Sequence, residues 1–77
     1  MEYEEKIAID IKKLENNLKE VENIEFNEKE MEVYKRALDY MNDSKYYLGK
    51  KELRTAFGCI EYSHGLLDAL RMIYNLI

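Results

Sequence analysis

Apolar residues recur at steps of three and four through three long segments of this chain, and two short interruptions separate the segments. Such spacing places the apolar side chains on one side of an α-helix. The chain has no proline, the residue that most strongly breaks a helix. Because short loops make consecutive helices antiparallel neighbours, the sequence predicts an all-α, up-down-up antiparallel three-helix bundle. We expect one domain over residues 1–77, with helices at roughly 2–23, 28–48 and 51–76.

The three segments differ in how much of their surface is apolar. The second and third segments each carry two adjacent apolar rows, which together cover about half of a helical circumference. We therefore expect helix 2 to be contacted from two sides and helix 3 to be the most buried. Helix 1 should touch its neighbours along one line, because its apolar residues form a single narrow row: Tyr3, Ile7, Ile11, Leu14, Leu18 and Val21.

Both interruptions contain residues that begin or end helices. Asn27 is placed to cap the second helix, and Glu30 follows it by three residues, as in a capping box. Gly49 precedes the third helix, and glycine readily takes the left-handed conformation that ends a helix. We predict that Gly49 is the left-handed residue of the second turn.

Composition argues against several classes of protein. The net charge of −4 argues against a nucleic-acid binder, which needs a basic surface to neutralise phosphates. One cysteine cannot form an intrachain disulfide. The chain begins without a cationic, signal-like segment, and no apolar run approaches the roughly 20 residues that span a bilayer. We expect a soluble, cytoplasmic protein that binds neither nucleic acid nor membrane.

Two glycines lie inside the third helix, on the side opposite its main apolar row. Gly58, Gly65 and Met72 follow one another at intervals of seven and share one line. An exposed glycine within a helix costs about 1 kcal/mol relative to alanine, so the pair needs an explanation. One interpretation is tolerance, or close packing against helix 1 or helix 2. The other is contact with a second copy of the chain or with a partner helix. Tyr40 and Tyr47 share a line on helix 2 and would support that contact, since tyrosine suits half-wet interfaces.

A polar edge of the third helix offers a different kind of site. Glu61, His64 and Asp68 share a face, and Asp39 with Asp43 lies at i and i+4 on helix 2. A Glu-x-x-His pair with carboxylates from a second helix is a metal-binding pattern, although a di-iron site needs two such pairs and this chain has one. The alternative is a surface ladder in which Asp68 pairs with its neighbours on the helix. We predict no metal and no cofactor.

The sequence also argues against an enzyme. Cys59 and His64 point about 140° apart on a helix, so they do not form a Cys–His pair. We expect Cys59 to be a small core residue and Ser63 to bond back to a carbonyl of its own preceding turn. No glycine-rich phosphate loop is present.

An Ala-x-x-Tyr-x-x-Asp run occupies residues 37–43, and a Tyr-x-x-Gly-Leu-Leu-Asp-Ala run occupies residues 62–69. Through these runs the segment of residues 37–70 resembles an archaeal family known as domain of unknown function 357. The resemblance implies a small three-helix bundle, an archaeal cytoplasmic setting and no established activity. The chain departs from the family pattern at Lys50, where an acid is usual, and at Ser63, where alanine is common. The same segment is similar to helical-hairpin modules that dock partner helices. The residues that carry the family resemblance are Ala37, Tyr40, Asp43, Tyr46, Tyr47, Leu48, Gly49, Ala56, Tyr62, Gly65, Leu66, Leu67, Asp68 and Ala69.

We therefore expect a non-catalytic interaction or assembly module whose partner is another protein or a second copy of itself. Its expected contact surface is the Gly58, Gly65 and Met72 line, with Tyr40 and Tyr47 in support. The alternative is a bundle that binds a metal or a small molecule along the acidic and histidine edge.

Overall fold

A computed structural model describes residues 2–77, which form three α-helices and no β-strand. The helices are α1 (Tyr3–Val21), α2 (Glu28–Gly49) and α3 (Leu53–Ile73). Contacts between side chains show that α2 runs antiparallel to both of its neighbours. On α3, Ala56 meets Ser44 and the later residue Ser63 meets the earlier residue Ala37. On α1, Glu15 meets Lys45 and the earlier residue Glu4 meets the later residue Lys51. The predicted all-α bundle is confirmed.

A single apolar core lies between the three helices, and it consists mainly of the predicted rows. Helix α1 contributes one narrow row, as expected. Helices α1 and α3 each contribute five buried side chains, and those of α3 are the more completely covered. Burying one leucine or isoleucine side chain in such a core stabilises the fold by about 1.5–3 kcal/mol. The buried apolar residues are Ile7, Ile11, Leu14, Val21, Ala37, Met41, Ala56, Ile60, Leu67 and Leu70.

The most extensive contact in the bundle is between α2 and α3. Ala37, Ser44, Ala56 and Ser63 are all fully buried there. Each serine hydroxyl donates to a carbonyl across the interface, Ser44 to Ala56 at 2.7 Å and Ser63 to Ala37 at 2.6 Å. The prediction that Ser63 bonds within its own helix is therefore wrong. Small side chains bring the two backbones so close that the opposite helix offers the nearer acceptor.

Helix α1 contacts α2 much less than it contacts α3. Ion pairs bridge the α1–α2 seam: Lys45 binds Glu15 at 3.1 Å, and Lys51 binds Glu4. Arg71 on α3 binds Glu20 on α1 at 3.2 Å. The two exposed pairs of the α1–α2 seam each contribute little, typically about 0.2–1 kcal/mol, so α1 is held mainly by its apolar row.

The first turn matches its prediction. Glu30 donates its backbone N–H to the Asn27 side chain at 2.8 Å, and the Glu30 carboxylate accepts the Asn27 N–H at 3.1 Å. The Tyr74 hydroxyl at the end of α3 donates to the same carboxylate. That hydrogen bond raises the pKa of Tyr74 above its ordinary value. Because the folded state favours the neutral phenol, the stabilisation of the fold by this hydrogen bond is present at neutral pH and is lost as the pH rises through the raised pKa.

The second turn corrects the prediction for Gly49. No glycine has a positive φ, and Lys51 takes the left-handed conformation instead, with φ of 62°. The Lys51 N–H donates to the Leu48 carbonyl and the Glu52 N–H donates to the Tyr47 carbonyl, each at 3.0 Å. This is a Schellman motif with lysine at the position that glycine usually occupies. Residues 50–52 belong to the turn, so α3 begins at Leu53 rather than at 51.

Candidate functional site

The side of α3 that faces away from α1 and α2 is the most distinctive surface of the molecule. We call it the outer face, and it extends past the helix end into exposed Leu76. Between residues 62 and 73 the charged residues are Asp68 and Arg71, and these bind each other and Glu20 of α1 rather than lying on the outer face. The outer face consists of the exposed residues Gly58, Tyr62, Gly65, Ala69, Met72 and Ile73.

The two glycines of the outer face are not required by the fold of the chain. Both have the right-handed helical backbone that any residue adopts. A β-carbon added at Gly58 or at Gly65 would meet no atom within 4 Å. Close packing inside the molecule, one interpretation of these glycines, is therefore wrong. What remains is tolerance of two destabilising residues, or contact with something outside the chain.

Large apolar side chains surround the glycines and are open to water. Met72 is 64% exposed, Ile73 58% and Tyr62 51%. Single exposed apolar residues are common on protein surfaces, but a contiguous group of them is typical of an interaction site. Two exposed charged residues share this side of α3: Arg54 lies on the line of Gly58 and Met72, and Glu61 lies one helical turn from both Gly58 and Gly65.

The two predicted tyrosines lie in different places. Tyr40 of α2 meets Tyr62 of α3 edge to face, with ring centroids 4.6 Å apart and planes at 76°, and so joins α2 to the outer face. Tyr47 packs partly against the core and contacts Tyr46 near the second turn. The predicted contact line did not include Tyr62, because Tyr62 lies at the edge of an apolar row that was expected to be covered.

The predicted polar patch is divided between two sides of the bundle. His64 donates from Nε2 to the Asp10 carbonyl of α1 at 2.8 Å, and Asp68 binds Arg71 at 2.9 Å. Asp39 and Asp43 instead lie beside Tyr40 on α2.

Glu61 is exposed on α3. Among residues 2–77, no three His, Cys, Asp or Glu side chains come together in a way that could hold a metal ion. His64 and Asp68 share the side of α3 that faces α1, and Asp68 pairs with Arg71 as the surface-ladder interpretation predicts.

Cys59 is half-buried and unpaired beside α2. Burial, together with the negative charge of Asp43, raises the pKa of the Cys59 thiol. A raised pKa disfavours the thiolate, which is the nucleophilic form. Cys59 therefore has the environment of a structural cysteine.

The family comparison agrees with the geometry of the fold. The model of a family described as a protein of unknown function, DUF357, matches residues 10–76, which is most of the chain. The chain belongs to the DUF357 family. The match covers α2, α3 and the part of α1 from residue 10 onward, and it includes every residue of the outer face of this DUF357 protein.

No curated protein matches this DUF357 chain. The family assignment therefore carries no activity with it. Within the described residues, 2–77, every helix is too short or too polar to cross a bilayer.

Proposed function

We propose that this DUF357 protein is a non-catalytic association module that binds another protein helix along the outer face of α3. The observation that carries the proposal is the empty space over Gly58 and Gly65, together with the large exposed apolar side chains beside them. Two helices approach closely where small residues lie between larger ones, because ridges of one then fit grooves of the other. We further propose that the module acts in the cytoplasm of an archaeon.

The energetics support binding over tolerance. Each exposed glycine within a helix costs about 1 kcal/mol relative to alanine, and a small domain has only about 5–15 kcal/mol of total stability. A surface that keeps two such residues together with exposed Met72 and Ile73 loses stability twice, through backbone entropy and through apolar exposure. Docking of a partner helix removes the exposed apolar surface from water, and the glycines let its backbone approach closely.

Thiol accessibility tests this proposal whatever the identity of the partner. In a Cys59→Ser background, Gly65→Cys places one thiol in the outer face, and Met31→Cys places one on an exposed part of α2 as a control. The rate of maleimide labelling is measured in dilute purified protein and in an extract of the cells from which the protein comes.

We expect the thiol at position 65 to react about tenfold more slowly in the extract, since a packed interface excludes solvent and reagent. The thiol at position 31 should react equally fast in both samples. Equal rates at position 65 would contradict the proposed association.

The alternative function is binding of a metal or small molecule by Asp39, Asp43, Glu61, His64 and Asp68. The placement of these groups on two sides of the bundle weighs against one shared site. Native mass spectrometry of protein purified without chelator tests the alternative. A stoichiometric adduct that disappears in His64→Ala would support it, whereas bare wild-type protein would contradict it.

A further inference from the structure

We propose that the partner of the outer face is a second copy of this chain, docked antiparallel so that a two-fold axis passes through Gly65. This inference rests on the proposed function, because it names the partner of the same surface. In a two-fold contact the same patch of each molecule must be complementary to itself.

The spacing of the outer face is symmetric about Gly65. Gly58 lies seven residues before it and Met72 seven residues after it, on the same line of the helix. An antiparallel two-fold at Gly65 therefore places Met72, 64% exposed, over the empty space at the partner's Gly58. The same operation places the partner's Met72 over Gly58. Methionine is unbranched and flexible, so it fills such a space readily.

On the line of the outer face that contains Tyr62 and Ala69, the same two-fold also places a large side chain opposite a small one. An antiparallel two-fold keeps the same flank of both helices on the same side of the interface, so Tyr62 lies opposite the region of the partner's Ala69. A large side chain again meets a small one. In a parallel dimer Met72 would meet Met72 and Gly58 would meet Gly58, which leaves crowding at one end and a void at the other. Antiparallel helix dipoles also attract, whereas parallel ones repel.

Charge limits how a second copy can approach. Each chain carries a net charge of −4, so two copies repel each other on most approaches. Between Tyr62 and Ile73 the outer face itself has no charged group to bury, which avoids the desolvation cost of an ion. On the flank opposite Tyr62, the same two-fold brings Glu61 toward the partner's Asp68, so this like-charge pair stays in the solvated rim of the contact.

The size of the molecule is also consistent with a dimer. The bundle is 36 Å long and 21 Å across at its widest. A standard interface buries about 800 Å² per partner, which is close to a full side of that size, so the contact extends beyond the outer face onto its flanks, where Tyr40 and Glu61 lie. A copy aligned along the whole bundle reaches such an area, whereas a helix that crosses at one point does not. We therefore expect the two bundles to lie side by side along their length.

Cysteine cross-linking tests the register directly. In a Cys59→Ser background, Gly58→Cys and Met72→Cys are purified separately with different tags, and Gly65 stays unchanged at the axis. A short bismaleimide is then applied to each protein alone and to their mixture, with Met31→Cys as the control for random collision. At about 10 µM protein, a dimer should link the mixed pair about a hundredfold faster than the control, because its thiols have an effective concentration near 1 mM.

The outcomes separate the inference from the proposed function. Cross-linking of the mixed pair, with little in Met72→Cys alone, is the expected result. Rapid cross-linking of Met72→Cys alone would overturn the antiparallel register. Cross-linking of every sample at the control rate would overturn the second copy as partner. If the thiol at position 65 is still protected in cell extract, the proposed function stands without this inference; if it is not protected, both fall.

Discussion

Helix α3 carries two pairs of small residues with the same spacing, and the bundle treats them in opposite ways. Ala56 and Ser63 are seven residues apart and fully buried against α2. Gly58 and Gly65 are also seven residues apart, and a β-carbon added at either would meet nothing. We call these the inner pair and the outer pair. The inner pair is covered within the chain, while the outer pair is open.

The difference shows what a completed contact between small residues looks like in this protein. Helix α2 faces the inner pair with an equivalent pair of its own, Ala37 and Ser44, also seven residues apart. Each serine then reaches a carbonyl of the opposite helix. The outer pair has the spacing and the large neighbours of such a contact but lacks the second helix. We infer that the second helix comes from another molecule.

The largest expected difference between the pairs is in their response to leucine. Ala56→Leu should lower the free energy of unfolding by about 3 kcal/mol, because three carbons enter a fully packed contact. Gly58→Leu should not destabilise the monomer, since the added side chain enters open space. Chemical denaturation of both variants in dilute solution measures this. A similar loss of stability in the two variants would show that the outer pair is also packed within the chain.

Removing a serine hydroxyl should have a smaller effect, confined to the inner pair. Ser63→Ala deletes the hydrogen bond to the Ala37 carbonyl and should lower the free energy of unfolding by about 1 kcal/mol. Thr55→Ala, at an exposed position of the same helix, is the control and should change it by less than about 0.5 kcal/mol. Urea denaturation measures both, and equal effects would mean that the buried hydroxyl contributes nothing specific.

The smallest expected effect has the opposite sign. Gly65→Ala should raise the free energy of unfolding of the monomer by about 0.8 kcal/mol, because alanine is the better helix former and its methyl group meets no neighbour. Thermal unfolding at low concentration, where the monomer predominates, measures this gain. A loss of stability in this variant would mean that Gly65 has a structural role that its open surroundings do not explain.

Much of the fold could be predicted from the sequence because it depends on local spacing. The apolar rows gave the three helices and the core, and the Asn27 and Glu30 pair gave the first turn. The second turn could not be predicted from Gly49 alone. A lysine in the left-handed conformation is disfavoured locally, and here it occurs within the hydrogen bonds of the turn and beside its ion pair with Glu4. That information lies in the tertiary structure.

The candidate site could be predicted only in part, for a similar reason. The helical wheel placed Gly58, Gly65 and Met72 opposite the core, and these residues are exposed. It could not tell whether another helix of the chain covers that side. Nor could it show that Ser63 bonds across to α2 or that Tyr62 rests against Tyr40, since both depend on the distance between two helices.

Association of two copies through the outer face is tested most directly by sedimentation velocity of the wild type and of Gly65→Leu over a range of concentrations. We expect the wild type to form a dimer with rising concentration. The variant should dimerise about tenfold to a hundredfold more weakly, since overpacking at a close contact costs about 1–3 kcal/mol. Its monomer should unfold at the same denaturant concentration or a higher one. A wild type that stays monomeric throughout, or a variant that associates as well as the wild type, would contradict association of two copies through the outer face of α3.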